Sequence, residues 1–159
     1  MVEKRSAKDD NFWRSIARPF FVLAPMADVT DVVFREFVSQ RSRPDIFFTE
    51  FVSARGLRSP EGRAHLIRDL QYTENQRPIV AQVFGGDPED FADVATLLAD
   101  LGFDGIDINM GCPVKKVGKQ GAGADLIKDP DRACAIVEAT KRGAGNLPVS
   151  VKTRIGYNT

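Results

Sequence analysis

The chain has 159 residues, 43% hydrophobic and 28% charged, which is an ordinary globular composition and enough for one domain with a real core. Lys plus Arg and Asp plus Glu each number 22, so the formal net charge is zero and overall charge lends nucleic-acid binding no support. One histidine (His65) argues against a His-rich metal site, and no apolar run approaches the roughly 18 residues of a membrane span. Two cysteines, Cys112 and Cys134, and no signal-peptide pattern point to a reducing, cytoplasmic setting.

Residues 1–11 (MVEKRSAKDDN) are polar and charged and read as a flexible N-terminal extension. Phe12, Trp13 and Ile16 then form a short amphipathic turn before Pro19, expected to plug the floor of the domain rather than lie on a membrane. Residues 20–24 (FFVLA) are a continuous apolar run of the kind buried on both faces of a sheet, a first strand ending in Pro25-Met26-Ala27-Asp28. Thr30 or Asp31 can cap the following helix, with Val32, Val33, Phe34, Phe37 and Val38 as its apolar face. Residues 45–49 (DIFFT) form a second strand ending at Glu50. Residues 53–77 read as a basic, loop-like segment with a short strand or turn near 70–73.

Residues 78–84 (PIVAQVF) form a third strand in which Gln82 is the one polar side chain. Asp87-Pro88-Glu89-Asp90 is a helix start: a cap, a proline at the first position and acids in the first turn. The helix runs through Phe91, Val94, Ala95, Leu98 and Leu101 to Gly102. A fourth strand follows (Gly105, Ile106, Asp107, Ile108) and breaks at Asn109-Met110-Gly111-Cys112-Pro113 into a glycine-rich basic loop reaching Gly123. Asp129-Pro130-Asp131 repeats the helix start, and residues 148–153 (PVSVKT) are a fifth strand.

Strand–helix alternation of this kind argues a parallel sheet with right-handed crossovers. A doubly wound nucleotide-binding sheet would carry a glycine turn after its first strand, and LAPMADVTD has none. Polar residues at successive strand ends (Asp28, Glu50, Gln82, Asn109, Lys152) suit an α/β fold of the (β/α)8 TIM-barrel type, whose chemistry sits at the C-terminal face. A whole barrel needs roughly 250 residues, so the first five or so β/α units are expected here.

The blocks LAPMADVTD, AQVFGGDPEDF, DINMGCPVKKV, GAGADLIKDP and PVSVKTRIG resemble tRNA-dihydrouridine synthases, and the NMGCPVKKV block is the most specific of them. The resemblance implies that residues 12–159 are the N-terminal portion of an FMN-binding TIM barrel. Such an enzyme reduces the C5–C6 double bond of uridines in tRNA, with NADPH as electron source. It implies a phosphate grip for FMN and a helical tRNA-binding domain beyond residue 159, no metal, no membrane, and a monomer when full length. Carried over residue by residue, Pro25, Met26 and Ala27 line the flavin, and Gln82 and Lys152 contact it. Asn109 holds the target base, Lys116 lies on the substrate side with Glu50 and Arg154, and Cys112 donates the proton to C5 as hydride reaches C6. The target uridine must leave its stack to react.

The residue types agree with those roles. A thiol with an ordinary pKa near 8.5 is mostly protonated at neutral pH and can act as a general acid. Cys112 as a small buried residue is the plainer alternative, and Cys134 is read as packing on the apolar side of its helix. Gln82 and Lys152, polar in apolar strands, need partners if buried, and a ligand is one. Glu50 could instead pair with Arg154 or Lys152. Lys115, Lys116 and Lys119 are a solvated face or phosphate contacts. Arg55, Arg58, Arg63 and Arg68 are read as solvent-facing, with RNA contact as the alternative, and His65 as incidental. A flavin barrel acting on a free pyrimidine or enone, and a binding piece without catalysis, are the other readings.

Overall fold

The computed structural model describes residues 11–158, so the expected N-terminal extension, apart from Asn11, lies outside the described residues. Five parallel strands form one sheet in the order β1 (Val22–Leu23), β2 (Ile46–Ser53), β3 (Ile79–Phe84), β4 (Gly105–Met110) and β5 (Val149–Thr153). Each strand pairs with the next in sequence, so the order never reverses as it does in a doubly wound sheet. The sheet curls as the first five β/α units of a TIM barrel.

Helices α1 (Val32–Arg41), α2 (Ala54–Arg58) and α3 (Pro60–Leu66) flank β2. Between β3 and β4 lies α4 (Pro88–Asp100), and α5 (Lys115–Gly118) and α6 (Pro130–Ala144) precede β5. Asp31, Asp87 and Asp129 cap α1, α4 and α6 by accepting the backbone N–H of Phe34, Glu89 and Arg132, as the cap residues and prolines foretell. α4 and α6 pack so closely that a Cβ on Gly143 would lie 2.0 Å from the Ala92 carbonyl oxygen, which only glycine permits.

Alternation along the strands separates two faces. Phe47, Ile79, Ala81, Val83, Ile106 and Ile108 meet Phe91, Val94 and Leu98 of α4 and Ile136 and Ala139 of α6 on the outer face, where most of the core lies. On the inner face Ile46, Phe48 and Val80 pack beneath Phe12, Trp13, Ile16 and Phe20. The N-terminal aromatic turn (3-10 helix Phe12–Arg14, capped by Asn11) therefore plugs the floor as expected.

Four expectations change. The first strand is two residues long, and Phe21 is 74% exposed, because β1 pairs only with β2 and its other edge is open. α1 does not bury Val33 and Phe37, which are 71% and 59% exposed; it packs on the 3-10 turn Glu74–Gln76, and its buried side chain is Arg35. The 53–77 stretch is helical rather than loop and strand. Ser53 and Ser59 cap α2 and α3, and Leu57 and Leu70 enter the core. Cys134 is exposed on α6, whose buried residues are Ile136, Ala139, Thr140 and Ala144.

Candidate active site

Residues paired in register on neighbouring parallel strands point to the same face, so Gln82 (β3) meets Asp107 (β4), Asp107 meets Ser150 (β5), and Asn109 stands beside Lys152. The side chains join in one buried lane across three strands. Gln82 Nε2 donates to Asp107 Oδ2 at 2.6 Å, Ser150 Oγ donates to Asp107 Oδ1 at 2.6 Å, and Asn109 Nδ2 donates to Gln82 Oε1 at 3.0 Å. A register shift in β2 between Phe48 and Phe51 turns Thr49 so that its hydroxyl oxygen accepts the Gln82 backbone N–H at 3.0 Å.

The lane leads directly to the thiol. Asn109 Oδ1 accepts the backbone N–H of Gly111 (3.1 Å) and of Cys112 (3.0 Å), while the Cys112 carbonyl accepts the Ala124 N–H at 3.0 Å. Gly123, at φ +63°, lets the chain return this closely: a Cβ there would stand 2.6 Å from the Cys112 carbonyl oxygen. Half-buried Cys112 opens on a cleft of about 850 Å³ lined by Lys115, Lys119, Arg154 and Tyr157 among others. Lys115 and Lys119 stand one turn apart, and Lys116 lies between them on the exposed surface. Arg154 donates from Nε to the Gly111 carbonyl.

The β1–α1 turn, which carries Pro25, Met26 and Ala27, does not line this cleft. Its Met26 N–H donates to Thr30 Oγ1 at 3.0 Å, and the Asp28 N–H donates to Glu50 Oε1. Asp28 sits at φ +59°, a left-handed conformation that aspartate adopts more readily than most residues, and its N–H is tied to Glu50. Glu50 thus braces this turn, and Arg154 lies elsewhere, on Gly111. Among the described residues no cluster of three or more His, Cys, Asp or Glu side chains could hold a metal, and no helix is long and apolar enough to cross a membrane.

Residues 22–159 match the family described as Dihydrouridine synthase (Dus). The chain belongs to the dihydrouridine synthase family. It is 54% identical over 149 residues to a probable tRNA-dihydrouridine synthase of Staphylococcus aureus (strain COL), covering 93% of this chain and 44% of that protein. It is 53% identical over 148 residues to probable tRNA-dihydrouridine synthase 2 of Bacillus subtilis (strain 168), covering 93% and 45%. The chain therefore spans less than half the length of these relatives.

Within this family member, Gln82, Asn109 and Lys152 lie in the C-terminal halves of β3, β4 and β5, with Cys112 and Arg154 just beyond β4 and β5; Pro25, Met26 and Ala27 follow β1, and Glu50 lies in the middle of β2, which runs on to Ser53 rather than ending there. Gln82 itself has no exposed surface, and its amide is engaged by Asp107 and Asn109. The Lys152 side chain is exposed and has no hydrogen-bond partner among the described residues. Arg55, Arg58, Arg63 and Arg68 are exposed as expected; Arg58 also pairs with Asp90 (3.1 Å) and Asp93 (3.0 Å) on α4, and Arg63 donates to the Leu57 carbonyl.

Asp107 and Ser150 escape the sequence reading. The available signal is an acid at a strand position in register with Gln82, which demands a partner as much as Gln82 does. Burial raises the Asp107 pKa above the ordinary 3.8, against the lowering effect of the Ser150 and Gln82 hydrogen bonds and the Lys152 charge. Burial likewise raises Glu50. An acid with a raised folded pKa binds its proton more tightly folded than unfolded, so its contribution to stability grows as pH falls through the folded pKa toward the ordinary value. Asp107→Asn, which removes the buried charge, is expected to be more stable than the parent at pH 8 and to lose that advantage toward pH 4. Urea midpoints at the two pH values check this, and a pH-independent difference would refute it.

Proposed function

We propose that this chain forms the catalytic half-barrel of an enzyme that reduces the C5–C6 double bond of uridines in tRNA, with FMN as cofactor, NADPH as electron source and Cys112 as proton donor. The observation that carries the reading is the thiol at the end of β4, clamped through both its backbone N–H and its carbonyl, at the mouth of a cleft bearing Lys115, Lys119 and Arg154. Relatives bearing the name tRNA-dihydrouridine synthase support the substrate class. A cytoplasmic setting and a monomeric whole protein go with it.

The residues present fit a flavin. Lys152 has an ammonium without a hydrogen-bond partner among the described residues, beside Asn109 on the inner face, and Met26 and Ala27 are exposed after β1 of the same sheet. Pro25, Met26, Ala27 and Lys152 would hold FMN, with Gln82 bracing the wall from beneath. When bound, FMN supplies the hydride for C6. The chain's own part is then binding and proton transfer. Asn109 and Glu50 shape the pocket for the extruded base, and Lys115, Lys116, Lys119 and Arg154 offer cations to the RNA backbone. Cys112 Sγ–H delivers its proton to C5, leaving a thiolate that solvent reprotonates.

The test is a visible absorption spectrum of protein expressed with ample riboflavin. Oxidised-flavin absorbance that bleaches with NADPH and returns on adding unmodified tRNA is the expected result. Because the expected phosphate grip lies beyond residue 159, the full-length protein decides: if it folds but stays colourless and takes up no added FMN, the reading is overturned.

A further inference from the structure

We propose that buried Asp107 is a positioning residue: through Gln82 and Asn109 it sets the place of Cys112 at the mouth of the cleft. Each donor and acceptor in the lane is fixed by the next, starting from the thiol. The Gly111 and Cys112 N–H groups can only donate, so the Asn109 side chain must turn its oxygen toward them, as it does at 3.1 and 3.0 Å. Its Nδ2 then faces Gln82 and needs an acceptor, so Gln82 must present Oε1, at 3.0 Å. Gln82 Nε2 is thereby aimed at residue 107, which must accept in turn, at 2.6 Å.

One acceptor at the base therefore orients two amides and, through them, two backbone N–H groups. If position 107 could not accept, the Gln82 amide would lose its orientation. Flipped, it would set its NH2 against the Asn109 NH2. Water cannot rescue the flip, because Gln82, Asp107 and Asn109 are 0%, 2% and 7% exposed. Asp107 is absent from the cleft lining and acts only through its neighbours. Its second oxygen accepts from Ser150, so an asparagine at 107 would preserve the lane: its oxygen would face Gln82 and its NH2 would donate to the Ser150 hydroxyl.

The importance of Cys112 rests on the function proposed above, but the test needs neither flavin nor tRNA, so the two can fail separately. Cys112 alkylation by iodoacetamide is timed in a Cys134→Ser background, which removes the exposed competing thiol. Asp107→Leu is expected to speed alkylation about five-fold, the size of one net hydrogen bond, and Asp107→Asn to stay within about two-fold of the parent. Gln82→Met cuts the same lane one link higher and is expected to accelerate alkylation equally, with no further gain in the Asp107→Leu/Gln82→Met double variant. A general loosening of the barrel would instead add across the two sites. Parental labelling of folded Asp107→Leu, equal acceleration by Asp107→Asn, or additive effects would each overturn the proposal. If Asp107→Leu does not fold, Gln82→Met decides alone: a parental rate overturns it.

Discussion

Cys112→Ala is expected to slow uridine reduction in tRNA by about 10²–10⁴-fold, the usual contribution of a positioned general acid. The substitution removes only the thiol. The backbone N–H that donates to Asn109 and the carbonyl that accepts from Ala124 remain, so the loop and the cleft keep their shape. The damage should therefore be confined to one half of the reaction. Flavin content and the rate at which NADPH bleaches the flavin stay at parental values, and dihydrouridine formation under single-turnover conditions falls. Cys112→Ser, with a hydroxyl far less acidic than a thiol, should lie close to alanine. A Cys112→Ala enzyme that reduces tRNA at the parental rate would remove Cys112 from the chemistry. Loss of flavin as well would show that the thiol also helps to shape the cofactor wall.

The signals legible in the sequence were those encoded locally. Asp-Pro helix starts, apolar strands and the abrupt NMGCP break each depend on residues close together, and Asp87–Pro88, Asp129–Pro130 and β4 lie where those signals put them. Alternation implied a parallel sheet, and the missing glycine turn after the first strand with polar residues at successive strand ends selected the sequential order that β1 to β5 show. What escaped depends on partners distant in sequence. Asp107 and Ser150 are 43 residues apart, and only the parallel register of β4 and β5 makes them neighbours. Helical spacing assigned α1 an apolar face on Val33 and Phe37, yet with β1 at an open edge the helix leans on residues 71–76 and buries its arginine. Cys134 failed for a different reason: α6 packs the face carrying Ile136, Ala139 and Ala144, and Cys134, two residues before Ile136, lies about 200° round the helix from it. Residues 53–77 carried too short a periodicity for their serine caps to stand out.

Arg35→Met is expected to destabilise the fold by about 3–5 kcal/mol, in line with other disruptions of buried charged networks. Arg35 has no exposed surface, and its guanidinium serves three acceptors on different segments. Nε donates to Gln76 Oε1 at 2.9 Å, and the two terminal nitrogens donate to the carbonyls of Thr30 and Gln71. Methionine fills much of the volume but donates nothing, leaving all three acceptors unpaired. Burial lowers the Arg35 pKa to about 10, with Glu50 and Asp31 pulling the other way, so the side chain is cationic at neutral pH. Because the folded pKa lies below the ordinary arginine value, the cost of burying this charge eases only as pH rises past about 10. Chemical denaturation at pH 7 measures the loss, and a fall in Tm of about 10 °C should accompany it at this chain length. Arg35→Lys can reach only part of the set and should recover part of the stability. Thr30 closes the turn after Pro25 by hydrogen bonds of its hydroxyl and N–H with Met26, and Arg35 holds the Thr30 carbonyl, so the same substitution should loosen the turn that carries Met26 and Ala27. A loss below about 1 kcal/mol, the range of an exposed pair, would mean that Glu50 and Thr30 hold that turn without the guanidinium.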